Sequence, residues 1–269
     1  MKSLPLPKIY IILTIFWIIY WIALQFFSPE SRYFYDIFAI VLFAQPLYGS
    51  VKAAINSKKW NGRKSAVGRI LILISLGLFA WSLGQLAYTI ISFFVEEVPY
   101  PGLPDIFFIF IDPFYSFAMF NLILVGGIVS NIKKSLVLNV SLLTTTIVAL
   151  TFTTLYLLFN DLSYFETFDL AIAVDLLYSF GSIVVISLVA INIMFSRLGG
   201  KMKVGLYCLL AGFVFQYIGD ISYSLLEPLG QAYSASMPDF LFYIATSLVS
   251  LAGMMINAEL ISTTRGERE

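Results

Sequence analysis

Eight long, mostly apolar stretches divide this chain, at 9–27, 34–56, 67–94, 104–129, 135–159, 169–195, 204–226 and 238–262. An α-helix needs about 20 such residues to cross the hydrocarbon core of a bilayer. Inside lipid every backbone N–H and C=O must be bonded within the protein, so only helices and closed barrels span it. Barrel strands alternate polar and apolar residues over about ten positions. These runs are longer and do not alternate. The sequence therefore predicts an all-α polytopic membrane protein with eight transmembrane helices. The first run follows Lys2 and Lys8, as a secretory signal would. No small-residue cleavage site follows it, only Phe26-Phe27-Ser28-Pro29, so it reads as a retained helix.

Composition removes whole classes of chemistry. Of 269 residues, 59% are hydrophobic and 12% charged, against about 45–50% and about 25% in soluble domains. A water-soluble enzyme is excluded, and so is a disordered chain. The absence of His removes His-ligated haem, His-based zinc and His-dependent nucleophilic catalysis. Cys208 is the only cysteine and forms neither an internal disulfide nor a cysteine metal cluster. Net charge is zero, so no global field draws nucleic acid. No metal and no cofactor are expected.

Basic residues set the expected orientation. Lys52, Lys58, Lys59, Arg63, Lys64 and Arg69 lie around the connection between the second and third runs; Lys133 and Lys134 follow the fourth; Arg197, Lys201 and Lys203 follow the sixth. The termini add Lys2, Lys8, Arg265 and Arg268. With eight spans, only Arg32 of the 16 basic residues falls on the other side. Glu30, Glu96, Glu97, Asp105, Asp161, Glu166, Glu227 and Asp239 gather there instead. The expectation is a multi-pass cell-membrane protein with both termini cytoplasmic and acidic outer loops.

The two halves resemble each other. Gly77, Gly84, Gln85 and Tyr88 match Gly212, Gly219, Asp220 and Tyr223 at an offset of 135. Pro104-Asp105 matches Pro238-Asp239 at an offset of 134. This predicts two tandem four-helix repeats, residues 1–134 and 135–269, in the same orientation, since four spans bring the chain back to the side it started from. Pro104 and Pro238 suit a first helical turn, and Asp105 and Asp239 complement its positive dipole end. The glycines, spaced by seven, place bare backbone on one helix face for close packing.

A second pattern is Asp or Gln followed three residues later by Tyr. Tyr is 16 of 269 residues, so chance supplies about one such pair. Six are present: Gln45/Tyr48, Gln85/Tyr88, Asp112/Tyr115, Asp161/Tyr164, Asp175/Tyr178 and Asp220/Tyr223. All but Asp161/Tyr164 fall inside runs, in their outer halves. Spacing i to i+3 puts both side chains on one face. An Asp near a helix centre costs about 2.5–3.5 kcal/mol on insertion scales. Interhelical hydrogen bonds return only about 0.6 kcal/mol each, and amides would serve as well. One reading is therefore bundle glue. The other is a polar, aromatic pocket open to the outside, holding water, a cation or an amine-bearing ligand. Gln216, one turn before Asp220, and Asn121 join its expected wall.

Tyr100-Pro101-Gly102-Leu103-Pro104-Asp105-Ile106-Phe107-Phe108, followed by Asp112-Pro113, resembles the "PYPSLADVFYL…YP" stretch of multispan N-terminal membrane sensor regions in prokaryotic signalling proteins. Those regions precede diguanylate cyclase, phosphodiesterase, PAS or histidine kinase modules. The resemblance covers residues 77–120, with 212–255 as a second copy. It implies a sensory module. Only Ser262 to Glu269 follow the last run, too few for an output domain, so signalling is expected through a separate cytoplasmic or membrane partner.

Three functions are weighed on these residues. The first is a ligand-binding or sensory module taking an unknown small ligand from the outer side. The second is a small-molecule or cation transporter or channel, for which duplicated halves are usual. The third and weakest is an intramembrane hydrolase using paired Asp as acid and base. Enzyme activity is not expected, and neither is nucleic-acid binding; the bilayer is the expected environment.

Overall fold

The structure, a computed structural model, describes residues 6–27, 29–95, 98–125, 136–159, 170–195, 200–227, 229, 231 and 234–256. The chain runs α1 (Leu6–Phe27), α2 (Tyr33–Lys59), α3 (Ala66–Ser92), α4 (Leu103–Phe108), α5 (Ile111–Val125), α6 (Leu136–Phe159), α7 (Leu170–Phe195), α8 (Gly200–Leu226) and α9 (Met237–Met255). No strand occurs among the described residues. Seven segments are long and apolar enough to cross a membrane: α1, α2, α3, α4 with α5, α7, α8 and α9. The eighth expected span forms α6, a 24-residue helix; its described apolar portion, Leu143–Tyr156, is shorter than a span.

Local chemistry explains the boundaries. Asn61 and Gly62 adopt left-handed backbone, at φ 62° and 54°, and turn the chain after α2. Asn and Gly tolerate that region best. Ser65 is extended, and its Oγ accepts a hydrogen bond from the Gly68 N–H at 2.9 Å, capping α3. Pro238 sits in the first turn of α9, and Pro104 in that of α4. The expected fourth span is broken between α4 and α5. Pro113 has no N–H to offer the carbonyl of Ile109, and the helix lapses at Ile109 and Phe110.

The segments close into a ring. Around it α2 packs on α3, α3 on α4 and α5, α5 on α7, α7 on α8, α8 on α9, and α9 returns to α2. Outside the ring α1 lies on α9 and α2, and α6 on α7 and α8. The main core joins Ile74 and Leu78 of α3, Met119 of α5, Val189 of α7, Phe213 of α8 and Val249 of α9. Leu24, Phe38, Leu42 and Tyr243 form a second core where α1, α2 and α9 meet.

Lipid is as apolar as these side chains, so burial alone does not drive helices together; close fit and polar bonds do. Ser50 Oγ donates to the Ser75 carbonyl at 2.8 Å, and Ser75 Oγ returns a bond to the Ser50 carbonyl at 2.9 Å. Asn56 Nδ2 donates to the Gly253 carbonyl at 3.1 Å, and Asn192 Nδ2 to that of Met119 at 3.1 Å. The four repeat glycines lie at tight contacts. A Cβ on Gly77 would reach 2.3 Å from the Tyr115 ring; on Gly84, 2.3 Å from Phe108; on Gly212, 3.0 Å from the Ala245 carbonyl; on Gly219, 2.6 Å from Phe242.

The bundle is polar in its ends. Trp60 Nε1 donates to the Ile256 carbonyl at 3.3 Å, which brings the basic α2–α3 connection beside the end of α9. Asp105, Asp175, Glu227 and Asp239 lie at the opposite end, where α4, α7 and α9 begin and α8 finishes. Lys133, Lys134, Arg197, Arg265, Arg268, Glu96, Glu97, Asp161 and Tyr164 lie outside the described residues.

Candidate ligand-binding cavity

A partly open cavity of about 90 Å³ lies at the acidic end of the ring. About 10–15 Å³ on this measure admits one water, so the space takes a water cluster or a small molecule. Trp81, Gln85 and Tyr88 of α3 form one wall; positions i, i+4 and i+7 share a helical face. Asp175 and Tyr178 of α7 enter from across the ring, and Gln216, Asp220 and Tyr223 line the α8 side.

Five carboxylates line the space: Asp105, Asp112, Asp175, Asp220 and Asp239. No Lys or Arg lines it among the described residues. Each carboxylate is held by a donor. Asp105 does two jobs. Its Oδ2 accepts from the Gly102 N–H at 2.7 Å, which starts α4, while its Oδ1 accepts from the Tyr178 hydroxyl at 2.7 Å. Asp239 Oδ2 accepts from the Ala235 N–H at 2.8 Å, fixing the start of α9. Gln216 Nε2 donates to Asp112 Oδ1 at 3.1 Å, and Ser182 Oγ to Asp220 Oδ2 at 2.9 Å. Asp112 also sits against the bare backbone of Gly181, where a Cβ would come within 2.3 Å of its Oδ2.

The α3–α4 connection covers part of the mouth with Val98, Pro99 and Tyr100. The Tyr100 hydroxyl donates to Asp175 Oδ1. Burial, reinforced by the Asp175 carboxylate, holds this hydroxyl well above the ordinary phenol range, so it stays a donor. The Tyr100 ring meets Tyr223 at 5.5 Å and 67°, an edge-to-face pair.

Deeper in, the wall is aromatic. The Trp81 ring lies 5.8 Å from Phe108 and 5.2 Å from Phe242. Gly84 and Gly219 give these two phenylalanines their seats. Some polar groups here have no partner among the described residues. Gln85 is 7% exposed, and neither its amide nor the hydroxyls of Tyr88 and Tyr223 hydrogen-bond to any described residue. Buried polar groups are bonded in the great majority of cases, so the Gln85 amide is an exception, while Tyr88 and Tyr223 are half-buried and line the same space.

Of the residues that the Asp/Gln-to-Tyr pattern and Gln216 nominate, Gln85, Tyr88, Asp112, Asp175, Tyr178, Gln216, Asp220 and Tyr223 share this cavity. Gln45, Tyr48 and Tyr115 do not line it. Gln45 turns toward α1 and α9, where its Nε2 donates to the Tyr10 hydroxyl and to Ser247 Oγ, the latter at 3.0 Å. Tyr48 is 40% exposed and stacks on Tyr10. Tyr115 is fully buried between Gly77 and Phe213. Asn121 bonds back to the Phe117 carbonyl of its own helix. The sequence reading missed Tyr100, Trp81, Phe108 and Phe242 as lining residues, and read Asp105 and Asp239 as helix starts only. No family model, curated protein or solved structure matches the chain.

Proposed function

We propose that this chain is an integral membrane ligand-binding module of the sensory kind. It takes a small molecule into the acidic cavity from the outer side and signals through a separate partner. One observation carries the reading: the Gln85 amide and the Tyr88 and Tyr223 hydroxyls, which bond to no described residue, line a cavity ringed by five carboxylates. Glue would satisfy those groups within the bundle; a binding site keeps them for a ligand.

The cytoplasmic end is the one carrying Lys58, Lys59, Arg63 and Lys64, by the positive-inside rule. That puts the cavity mouth outside, both termini in the cytoplasm and eight spans in the cell membrane. Two tandem repeats underlie the bundle. Gly84 seats Phe108 as Gly219 seats Phe242, and Asp105 and Asp239 each bond a backbone N–H just upstream. Packing partners repeat likewise: α2 meets α9 as α7 meets α5.

The test is thermal unfolding of the full chain in nanodiscs against a small-molecule panel, alongside the Asp175→Asn/Asp220→Asn variant. A saturable rise in Tm that the variant loses supports binding at this site. Equal responses from both proteins overturn it.

A transporter is the second reading. The break at Ile109 and Phe110 beside Asp112 favours it, because interrupted helices flank transporter binding sites. Uptake into sealed proteoliposomes that Asp112→Asn abolishes would establish it over the sensor.

A further inference from the structure

The sensor reading leaves the ligand open, and the following inference rests on that reading. We propose that the cavity recognises an alkylammonium head group, held jointly by carboxylates and aromatic faces.

Charge comes first. Five carboxylates meet in one space, and no described Lys or Arg lines it. Buried charge is tolerated when it is paired, and in a membrane such acids mark ligand or ion pathways. Hydroxyls and amides from Tyr178, Tyr100, Ser182 and Gln216 orient these carboxylates. None of those donors brings a positive charge. A cationic ligand is the counter-charge that the described lining leaves out.

The kind of cation follows from the rest of the lining. A calcium ion takes six to eight oxygen ligands at about 2.3–2.6 Å. Among the described residues no group of three or more carboxylates is arranged to hold a metal ion. The five acids are instead spread one each over α4, α5, α7, α8 and α9. Between them lie aromatic faces. Phe108, Trp81 and Phe242 form a continuous wall with ring centroids 5.8 and 5.2 Å apart, and Tyr100 and Tyr223 close the outer side at 5.5 Å. A ring face attracts a cation within about 6 Å, and quaternary ammonium groups use this most because they are weakly hydrated.

Size agrees. The space of about 90 Å³ is partly open rather than sealed, so a methylated ammonium head is not confined to the enclosed volume. The open side leaves room for a tail toward the mouth.

The experiment uses the full chain in nanodiscs with Ser224→Cys in a Cys208→Ser background. Ser224 lines the cavity. Three methanethiosulfonates probe it: one bearing trimethylammonium, one bearing sulfonate and one neutral. In each case the Cys thiolate forms a disulfide with the reagent and methanesulfinate leaves. Rates are normalised to the same reagents acting on a free thiol in solution. We expect the cationic reagent to react at least about tenfold faster than the anionic one, a difference of about 1.4 kcal/mol. Tetramethylammonium chloride should slow it, and sodium chloride at equal ionic strength should not. Adding Asp175→Asn/Asp220→Asn should erase the preference.

Two other outcomes separate the failures. If no reagent reaches the folded protein but all modify it when unfolded, the cavity is closed and the sensor reading fails with the inference. If all three react at equal normalised rates without protection, the site stands and the alkylammonium inference is overturned. Unfolding of the unmodified chain gives an independent readout. Tetramethylammonium should raise Tm saturably over sodium; equal effects of the two salts overturn the inference even if the Cys variant fails to fold.

Discussion

Two polar clusters sit in this bundle, and they are built on opposite principles. Around Gln45, where α1, α2 and α9 meet, every interaction is between neutral groups. Gln45 Nε2 donates to Tyr10 and Ser247, and its Oε1 accepts from Thr246 Oγ1 at 2.9 Å. Three of the amide's four hydrogen-bonding positions are taken, and no charge is involved. Around Asp175 and Asp220 the groups are carboxylates, and the side-chain amide of Gln85, the counterpart of Gln45 in the sequence pattern, bonds to nothing described. Both clusters carry the same Asp/Gln-to-Tyr spacing. The pattern therefore marks polar faces; what they face decides between joining helices and lining a space.

Four measurements test that contrast. The largest effect is expected from Gly219→Leu. A Cβ alone would come within 2.6 Å of Phe242, and overpacking typically costs about 1–3 kcal/mol. The yield of folded protein should fall sharply or Tm drop by several degrees; a variant as stable as the parent would show that Phe242 has another seat. Next comes Gln45→Leu. Removing three interhelical bonds, each about 0.6 kcal/mol on average, should cost roughly 1–2 kcal/mol in reversible unfolding. An unchanged midpoint would strip the neutral cluster of its structural role.

Asp175→Asn/Asp220→Asn should do far less. Each Asn keeps an oxygen to accept from Tyr100 or Ser182, so stability should hold or rise slightly, in line with the usual exchange of stability for function. A loss of several degrees would make the carboxylates structural and erase the contrast. Smallest is Tyr100→Phe, which removes one bond between the α3–α4 connection and α7. Water at the partly open mouth can replace the lost donor, so Tm should barely move, yet hydrogen exchange at Tyr100 and Gly102 should quicken. Unaltered exchange would mean that Asp175 does not hold the connection down.

How much of this was legible beforehand differs by element. The helices were, because lipid makes length and apolarity sufficient: α7 was expected at 169–195 and runs Leu170–Phe195. The break in the fourth span was foreshadowed by Pro113, though Pro46 sits inside an unbroken α2. A proline thus lowers the cost of a break without dictating one. The cavity wall was partly legible. Spacing put Gln85 with Tyr88 and Asp175 with Tyr178, but it does not say which way a face turns. Asp112 and Tyr115 are three residues apart, yet the first meets Gly181 and the cavity while the second packs on Gly77. Tyr100 escaped because a connection that folds back over a bundle leaves no periodic trace. Asp105 and Asp239 escaped because a helix-start role explains them fully from sequence; only the Tyr178 bond to Asp105 adds the second role.

The placement of α1 carries a consequence for biogenesis. Trp21 Nε1 and Gln25 Nε2 both donate to the Ala235 carbonyl, at 2.8 and 3.0 Å, across 214 and 210 positions of chain. Trp21 also stacks on Phe240 at 4.0 Å. At about 5–20 residues per second of synthesis, roughly 10–40 s separate α1 from these partners. Through that interval α1 has only its α2 contacts, among them the Gln45–Tyr10 bond and the Tyr10–Tyr48 stack, and its spread of exposed Ile, Leu and Phe suits it to wait in lipid. The helix that precedes all the other described ones during translation can meet α2 early but completes its seat only once α9 has been made, so assembly runs out of step with synthesis.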